Sequence, residues 1–149
     1  MEDLIELAAL VDILTIHTPL NHETYRLINR DVIQTMKPGA ILINTSRGAV
    51  MDEAALIEAL QRGHLGGAGL DVFDPEPPAP DNPLFQLDQV VLTPHLASFT
   101  DEGRRRMGLS VAEDVLSVLR GEKPAALANP EVWSHRRGAL TEGSKANEA

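Results

Sequence analysis

The chain has 149 residues, enough for one domain with a buried core, and 43% of them are apolar although only one Trp, one Tyr and three Phe occur. Its formal charge of −9 argues against nucleic acid and anionic membranes, which select basic surfaces, and the absence of cysteine excludes disulfides and thiolate metal sites. No apolar run approaches membrane-spanning length and Met1 is followed by Glu2 and Asp3 instead of a basic leader, so the expectation is a soluble, cytoplasmic protein.

The opening residues, Glu2 to Leu10, set Leu4, Ile5 and Leu7 at helix-compatible spacing and predict a short amphipathic helix. Asp12 to His17 is a β-branched run too short for a helix, and Thr18 and Pro19 end it as a first strand. Asn29 suits the N-cap of a helix through Met36 that closes at Lys37, Pro38 and Gly39. A second strand, Ala40 to Thr45, leads into Ser46, Arg47 and Gly48. Asp52 then caps a helix with Leu56, Ile57 and Leu60 on one face, and Gly63 stands where a left-handed residue is wanted. The third strand is Ala68 to Phe73 and the fourth Val90 to Thr93. Between them Pro75, Pro77, Pro78, Pro80 and Pro83 predict an extended loop without a helix. Thr100 can cap a long helix from Asp101 to about Arg120, striped by Met107, Val111, Val115, Leu116 and Leu119 and ended by Gly121. From Ser134 the chain is polar and aperiodic, which reads as a disordered tail. Strands alternating with helices predict an α/β fold on a parallel sheet of about four strands.

Open parallel sheets bind ligands at the carboxyl ends of their strands, and there this sequence places an Arg, an Asp, a Glu and a His. Arg47 can offer a planar fork of donors to a carboxylate; it can equally be a surface Arg covering the sheet end. Asp71 lies in an apolar run, where an acid needs partners. Capping the strand end and accepting from an amide of a bound ligand are equal readings of it. Glu76 and His95 count as a pair, since a carboxylate beside an imidazole fixes its tautomer and makes it a usable general acid and base. His17, His22 and His64 lack such company and read as strand-end or surface residues. With no HExxH or clustered Cys and His, no metal site is expected.

Four segments in order, HTPL at 17–20, INTSRG at 43–48, GAGLDVFDPEPP at 67–78 and TPHLAS at 93–98, resemble the cofactor-binding domain of the D-isomer-specific 2-hydroxyacid dehydrogenases. The similarity runs from about Leu4 to Trp133, and residues 1–133 are accordingly expected to form a partial dinucleotide-binding domain ahead of a tail at 134–149. The resemblance implies a Rossmann-like fold and NAD, with NADP possible, as cofactor. It implies reversible reduction of a small 2-keto acid to a D-2-hydroxy acid. His95 would then be the proton donor, with Glu76 holding it, and Arg47 would bind the substrate's carbonyl and carboxylate. Asp71 would accept from the nicotinamide carboxamide, and Thr18, Pro19, Thr45 and Ser46 would line the dinucleotide. The backbone from His95 to Ser98, with Ala97 where the family often has Gly, would close the nicotinamide side.

The sequence departs from that family in one large respect. It holds no strand followed by a GxGxxG turn; Gly66, Gly67 and Gly69 precede a strand instead of a helix. By analogy its strands are the fourth to seventh of a sheet ordered 3-2-1-4-5-6-7, so the first would present a bare apolar edge open to dimerisation or other self-association. The alternatives to a truncated dehydrogenase are a non-catalytic dimerisation or interaction module of the same fold and an inactive fragment.

Overall fold

The computed structural model describes residues 2–135, and the chain divides into two compact units with the boundary between Ala97 and Ser98. In the first unit, helix α1 (Glu2–Leu10) precedes strand β1 (Ile13–Ile16), helix α2 (Arg30–Thr35), strand β2 (Ile41–Asn44), helix α3 (Glu53–Gln61), strand β3 (Gly67–Leu70) and strand β4 (Val90–Leu92). The four strands pair in chain order and every pairing is parallel. The α/β expectation thus stands: β1 and β2 are one residue shorter at each end than proposed, β4 ends one residue sooner, and β3 starts one residue earlier and stops at Leu70 instead of Phe73.

Local chemistry sets the helix starts. Asn29 accepts from the Val32 amide at 3.0 Å and Asp52 from the Ala55 amide at 3.1 Å, each satisfying a donor that the first turn leaves open. Gly63, with φ of +69°, lies two residues past the last residue of α3, in a backbone region that side chains with a Cβ resist. In α1 the inward face is Leu4, Ile5 and Ala8, while Leu7 is 47% exposed. Ala8, one turn on from Leu4, takes the buried place expected of Leu7.

The strand pattern shows which face is covered. Leu14, Leu42 and Ala68 lie on one rung and Ile16, Asn44 and Leu70 on another, all buried, and the apolar ones belong to one cluster with Val32 and Ile33 of α2 and Leu56 and Leu60 of α3. The alternate residues point to the opposite face, where Ile13, Ile41 and Val91 are exposed. The proline-rich segment is not helix-free as expected. Pro83–Gln86 makes a 3-10 turn capped by the Asn82 side chain on the Leu84 amide at 2.9 Å, because the donor that proline lacks is one for which a first turn has no use.

The second unit holds helix α4 (Asp101–Leu119), capped by Thr100 on the Gly103 amide at 2.9 Å, and a 3-10 turn at Pro130–His135. The proposed stripe is present but open: Met107, Val111, Val115, Leu116 and Leu119 are 47 to 63% exposed. Ser134 and His135 belong to that last turn, and the rest of the proposed tail, residues 136–149, lies outside the described residues. Among the described residues no helix is long and apolar enough to cross a membrane.

Burial separates the two kinds of apolar position. Leu42→Ala, at a fully buried site, should lower the unfolding free energy by about 2–5 kcal/mol. Val111→Ser, at an open position of α4, should change it by no more than about 0.5 kcal/mol. Urea melts followed by circular dichroism measure both.

Candidate active site

The last full rung of the sheet is Ile16, Asn44, Leu70 and Leu92, one residue from each strand. The candidate catalytic and cofactor residues of this unit all follow that rung: Thr18 and Pro19 after β1, Thr45 to Arg47 after β2, Asp71 and Glu76 after β3, and His95 and Ala97 after β4. Arg47 and His95 each lie three residues beyond it, on strands separated by β3. Two inter-strand spacings, roughly 10 Å, therefore separate the starts of their loops. One rim carries the whole set.

His95 and Glu76 meet: the imidazole Nδ1 lies 2.7 Å from Glu76 Oε1. With Nδ1 so engaged, Nε2 is the ring atom left for another partner. A cleft of about 630 Å³, walled by Phe73, Pro77, Phe85, Leu92 and Pro94, adjoins Glu76 and gives that carboxylate an apolar neighbourhood. His95 itself has φ of +56°, a left-handed conformation that a residue with a Cβ adopts only when its surroundings impose it.

Asp71 is what imposes it. The strand ends at Leu70, one residue before Asp71, whose amide still bonds the Asn44 carbonyl at 3.0 Å while its own carbonyl accepts from the His95 amide at 2.9 Å. Its carboxylate, in a residue only 3% exposed, accepts from the Thr93 hydroxyl, from the Leu96 amide at 2.7 Å and from the Ala97 amide at 2.8 Å. Four donors from residues 93–97 thus converge on one residue. Burial pushes the Asp71 carboxyl upward, but hydrogen bonds from Thr93, Ala97 and Leu96 together outweigh it and hold the group below its ordinary range. Of the two readings of Asp71, the strand-end cap is the one that its contacts within the chain supply.

Arg47 is on the same rim without touching the pair. Its guanidinium donates to the Ser46 carbonyl at 2.6 Å and the side chain is exposed. Its backbone is fixed on both sides. Gly48 packs so tightly that a Cβ there would stand 1.9 Å from the Phe73 carbonyl oxygen, which ties this loop to the start of the Glu76 loop. The Arg26 and Ile28 amides bond the Ala49 and Val50 carbonyls at 2.8 and 3.0 Å. The residue that sequence reasoning missed is Asn44. Fully buried, it donates through Nδ2 to the Arg47 carbonyl at 2.9 Å and accepts at Oδ1 from the Ser46 amide and hydroxyl, both at 3.0 Å. The signal was available, since an amide closing the apolar run Ala40–Ile43 needs partners once buried.

The proposed cofactor contacts scatter along this rim. Thr45 and Ser46 are half-buried, and Pro19 and Ala97 exposed. Thr18 Oγ1 is buried and has no hydrogen-bond partner. A buried hydroxyl without a partner, at the carboxyl end of a parallel strand, fits a polar ligand such as a dinucleotide lying over the rim. Ser98 opens the second unit. Of the other histidines in this unit, His17 Nε2 is 2.9 Å from Thr15 Oγ1, His22 is 3.9 Å from Glu23, and His64 Nε2 is 3.2 Å from the Ile33 carbonyl. No cluster able to hold a metal ion occurs among the described residues.

The sign of Asp71's contribution follows from its depressed carboxyl. It stabilises the fold at pH values above the ordinary Asp range, near about 4, and that stabilisation is lost as pH falls through the lower folded value. Asp71→Asn should cost about 1–3 kcal/mol at about pH 7, because an amide donor then faces backbone donors. The gap between variant and parent should shrink below about pH 4. Urea midpoints at about pH 7 and about pH 3 measure this, and a gap that stays constant would refute it.

The model of the family described as "D-isomer specific 2-hydroxyacid dehydrogenase, NAD binding domain" matches residues 1–97. A glyoxylate reductase from Thermofilum pendens is 51% identical over 125 residues, covering 84% of this chain and 37% of that protein. Among solved structures, the TT0316 protein from Thermus thermophilus is 52% identical with a TM-score of 0.76, covering 82% of this chain and 39% of that one. An NADPH-dependent glyoxylate/hydroxypyruvate reductase from Sinorhizobium meliloti, in complex with NADP and malonate, is 38% identical with a TM-score of 0.75, covering 84% and 39%. The chain thus spans under two-fifths of the length of these relatives. With the fold, the rim and the match over residues 1–97 in agreement, the chain belongs to the D-isomer-specific 2-hydroxyacid dehydrogenase family, of which it carries NAD-binding-domain sequence.

Proposed function

We propose that this chain supplies the rim of an NAD(P)-dependent oxidoreductase that interconverts a small 2-keto acid and its D-2-hydroxy acid. The observation that carries this reading is the His95–Glu76 pair at 2.7 Å, on the same rim as Arg47. A nicotinamide held over the rim would supply or take the hydride. The chain's own groups bind, orient and move the proton. In this reading Arg47 turns its guanidinium from the Ser46 carbonyl to the substrate's carboxylate and carbonyl, where a planar fork matches two oxygens. His95 gives its Nε2 proton to the carbonyl oxygen in reduction and takes it back in oxidation, while Glu76 holds Nδ1 and so keeps the ring aimed.

Thr18, Pro19, Thr45, Ser46, Ala97 and Ser98 are proposed as cofactor contacts, with Thr18 Oγ1 the hydroxyl that most needs a ligand. Asp71 serves there chiefly through the loop it holds, since three chain donors already occupy its carboxylate. NAD is the proposed cofactor and NADP fits equally. The Sinorhizobium meliloti relative was solved with NADP and with malonate, a small dicarboxylate of the kind that Arg47 would bind. The proposed setting is the cytoplasm. We further infer self-association, as a homodimer, through the open edge of the sheet: β1 is the outermost strand and pairs with β2, and an unpaired strand edge invites a second copy.

Two experiments test the activity. Replacing the matching 125-residue segment of the Thermofilum pendens glyoxylate reductase with this chain's sequence should leave an enzyme that oxidises NADH or NADPH with glyoxylate. In that chimera His95→Ala should lower kcat by roughly 10²–10⁴-fold with the fold intact. A folded chimera whose rate is unchanged by His95→Ala would overturn the assignment. The 149 residues alone carry no glycine-rich phosphate turn, the main anchor of a pyrophosphate. They should bind NADH only weakly and show no measurable turnover. Micromolar affinity in isothermal titration would contradict this.

A further inference from the structure

We propose that Asn44 is a positioning residue for Arg47, fixing the backbone from which the guanidinium reaches its carboxylate. This rests on the reading of Arg47 as the substrate-binding residue. Asn44 and Asp71 are the two buried polar residues among those described, and they stand side by side: the Asp71 amide bonds the Asn44 carbonyl at 3.0 Å. Asp71 gathers the His95 loop. Asn44 does the corresponding work one strand over, with its side-chain bonds directed to the two residues that follow Thr45. Oδ1 accepts from the Ser46 amide and hydroxyl, both at 3.0 Å, and Nδ2 donates to the Arg47 carbonyl at 2.9 Å.

The geometry explains why an amide stands here. Ser46 presents donors and Arg47 an acceptor, so one group must accept twice and donate once within a single turn. A carboxylate cannot donate, and a serine hydroxyl, though it can both accept and donate, is shorter and would have to make all three bonds from a single atom where asparagine uses two. A leucine, the residue type found on the same rung in β3 and β4, would fill the core but leave three polar groups unpaired. Gly48, against the Phe73 carbonyl, then closes the other side of Arg47. The long, exposed side chain thus springs from a backbone held at both ends.

The test uses the full 149-residue chain labelled with the heavy nitrogen isotope, and two variants. Asn44→Asp keeps the acceptors for Ser46 and removes the donor to Arg47. Asn44→Ser shortens the reach to both. In the parent the amide order parameters of Ser46 and Arg47 should be near about 0.85, and in the variants that of Arg47 should fall below about 0.6 while the β1 to β4 amides stay rigid. If one variant fails to fold, the other decides. An Arg47 amide as ordered as in the parent in a folded variant, or loss of order spread across the strands in both, would overturn the proposal. Titration with oxalate, read at the Arg47 Nε–H signal, should show binding on the order of tenfold weaker in the variants. Oxalate that leaves the parent's Arg47 signal unmoved would refute the substrate-binding reading of Arg47, and the order parameters would still decide the role of Asn44.

Discussion

Hydrogen bonding to one buried carboxylate governs the arrangement of this rim. Asp71 stands where β3 stops, and Thr93, Leu96 and Ala97 all donate to its side chain while the His95 amide donates to its carbonyl. A buried charge is tolerable only when donors reach it, and here three do, all from a loop that has no regular structure of its own. The acid and the loop therefore specify one another. The positive φ of His95 is the visible result: a strained backbone persists because the bonds on either side of it require it.

The parallel sheet turns this local device into a shared site. Because all four strands run the same way and end on one rung, the loops after them leave the same rim, and residues far apart in sequence arrive together. Asn44 and Asp71, neighbours across β2 and β3, then gather one loop each. The Arg47 loop and the His95 loop are shaped by the two buried polar residues found among the described residues. The apolar cluster supplies cohesion, and the amide and the acid supply direction.

The same sheet is covered unequally. The helices between its strands bury the face carrying Leu14, Leu42 and Leu70, while Ile13, Ile41 and Val91 on the other face are open, as is the stripe of α4. Parallel sheets are ordinarily covered on both faces, whereas the described residues of this chain cover one.

Much of the scaffold was legible in the residues. Asn29, Asp52 and Thr100 marked three helix starts because a cap is a local bond between a side chain and an amide three residues on. Short β-branched runs marked β1, β2 and β4, and the alternation of strand and helix marked a parallel sheet. The Glu76–His95 contact was foreseen as a pairing but not as a distance, and three other features needed the folded chain. The end of β3 at Leu70 depends on what Asp71 bonds across 25 residues of sequence. The role of Asn44 depends on its complete burial, which no run of letters states. The open stripe of α4 has the same periodicity as a buried one. Sequence alone determined what forms by contacts within a few residues; tertiary structure decided which polar groups lose water and must find partners, because burial belongs to the packed whole.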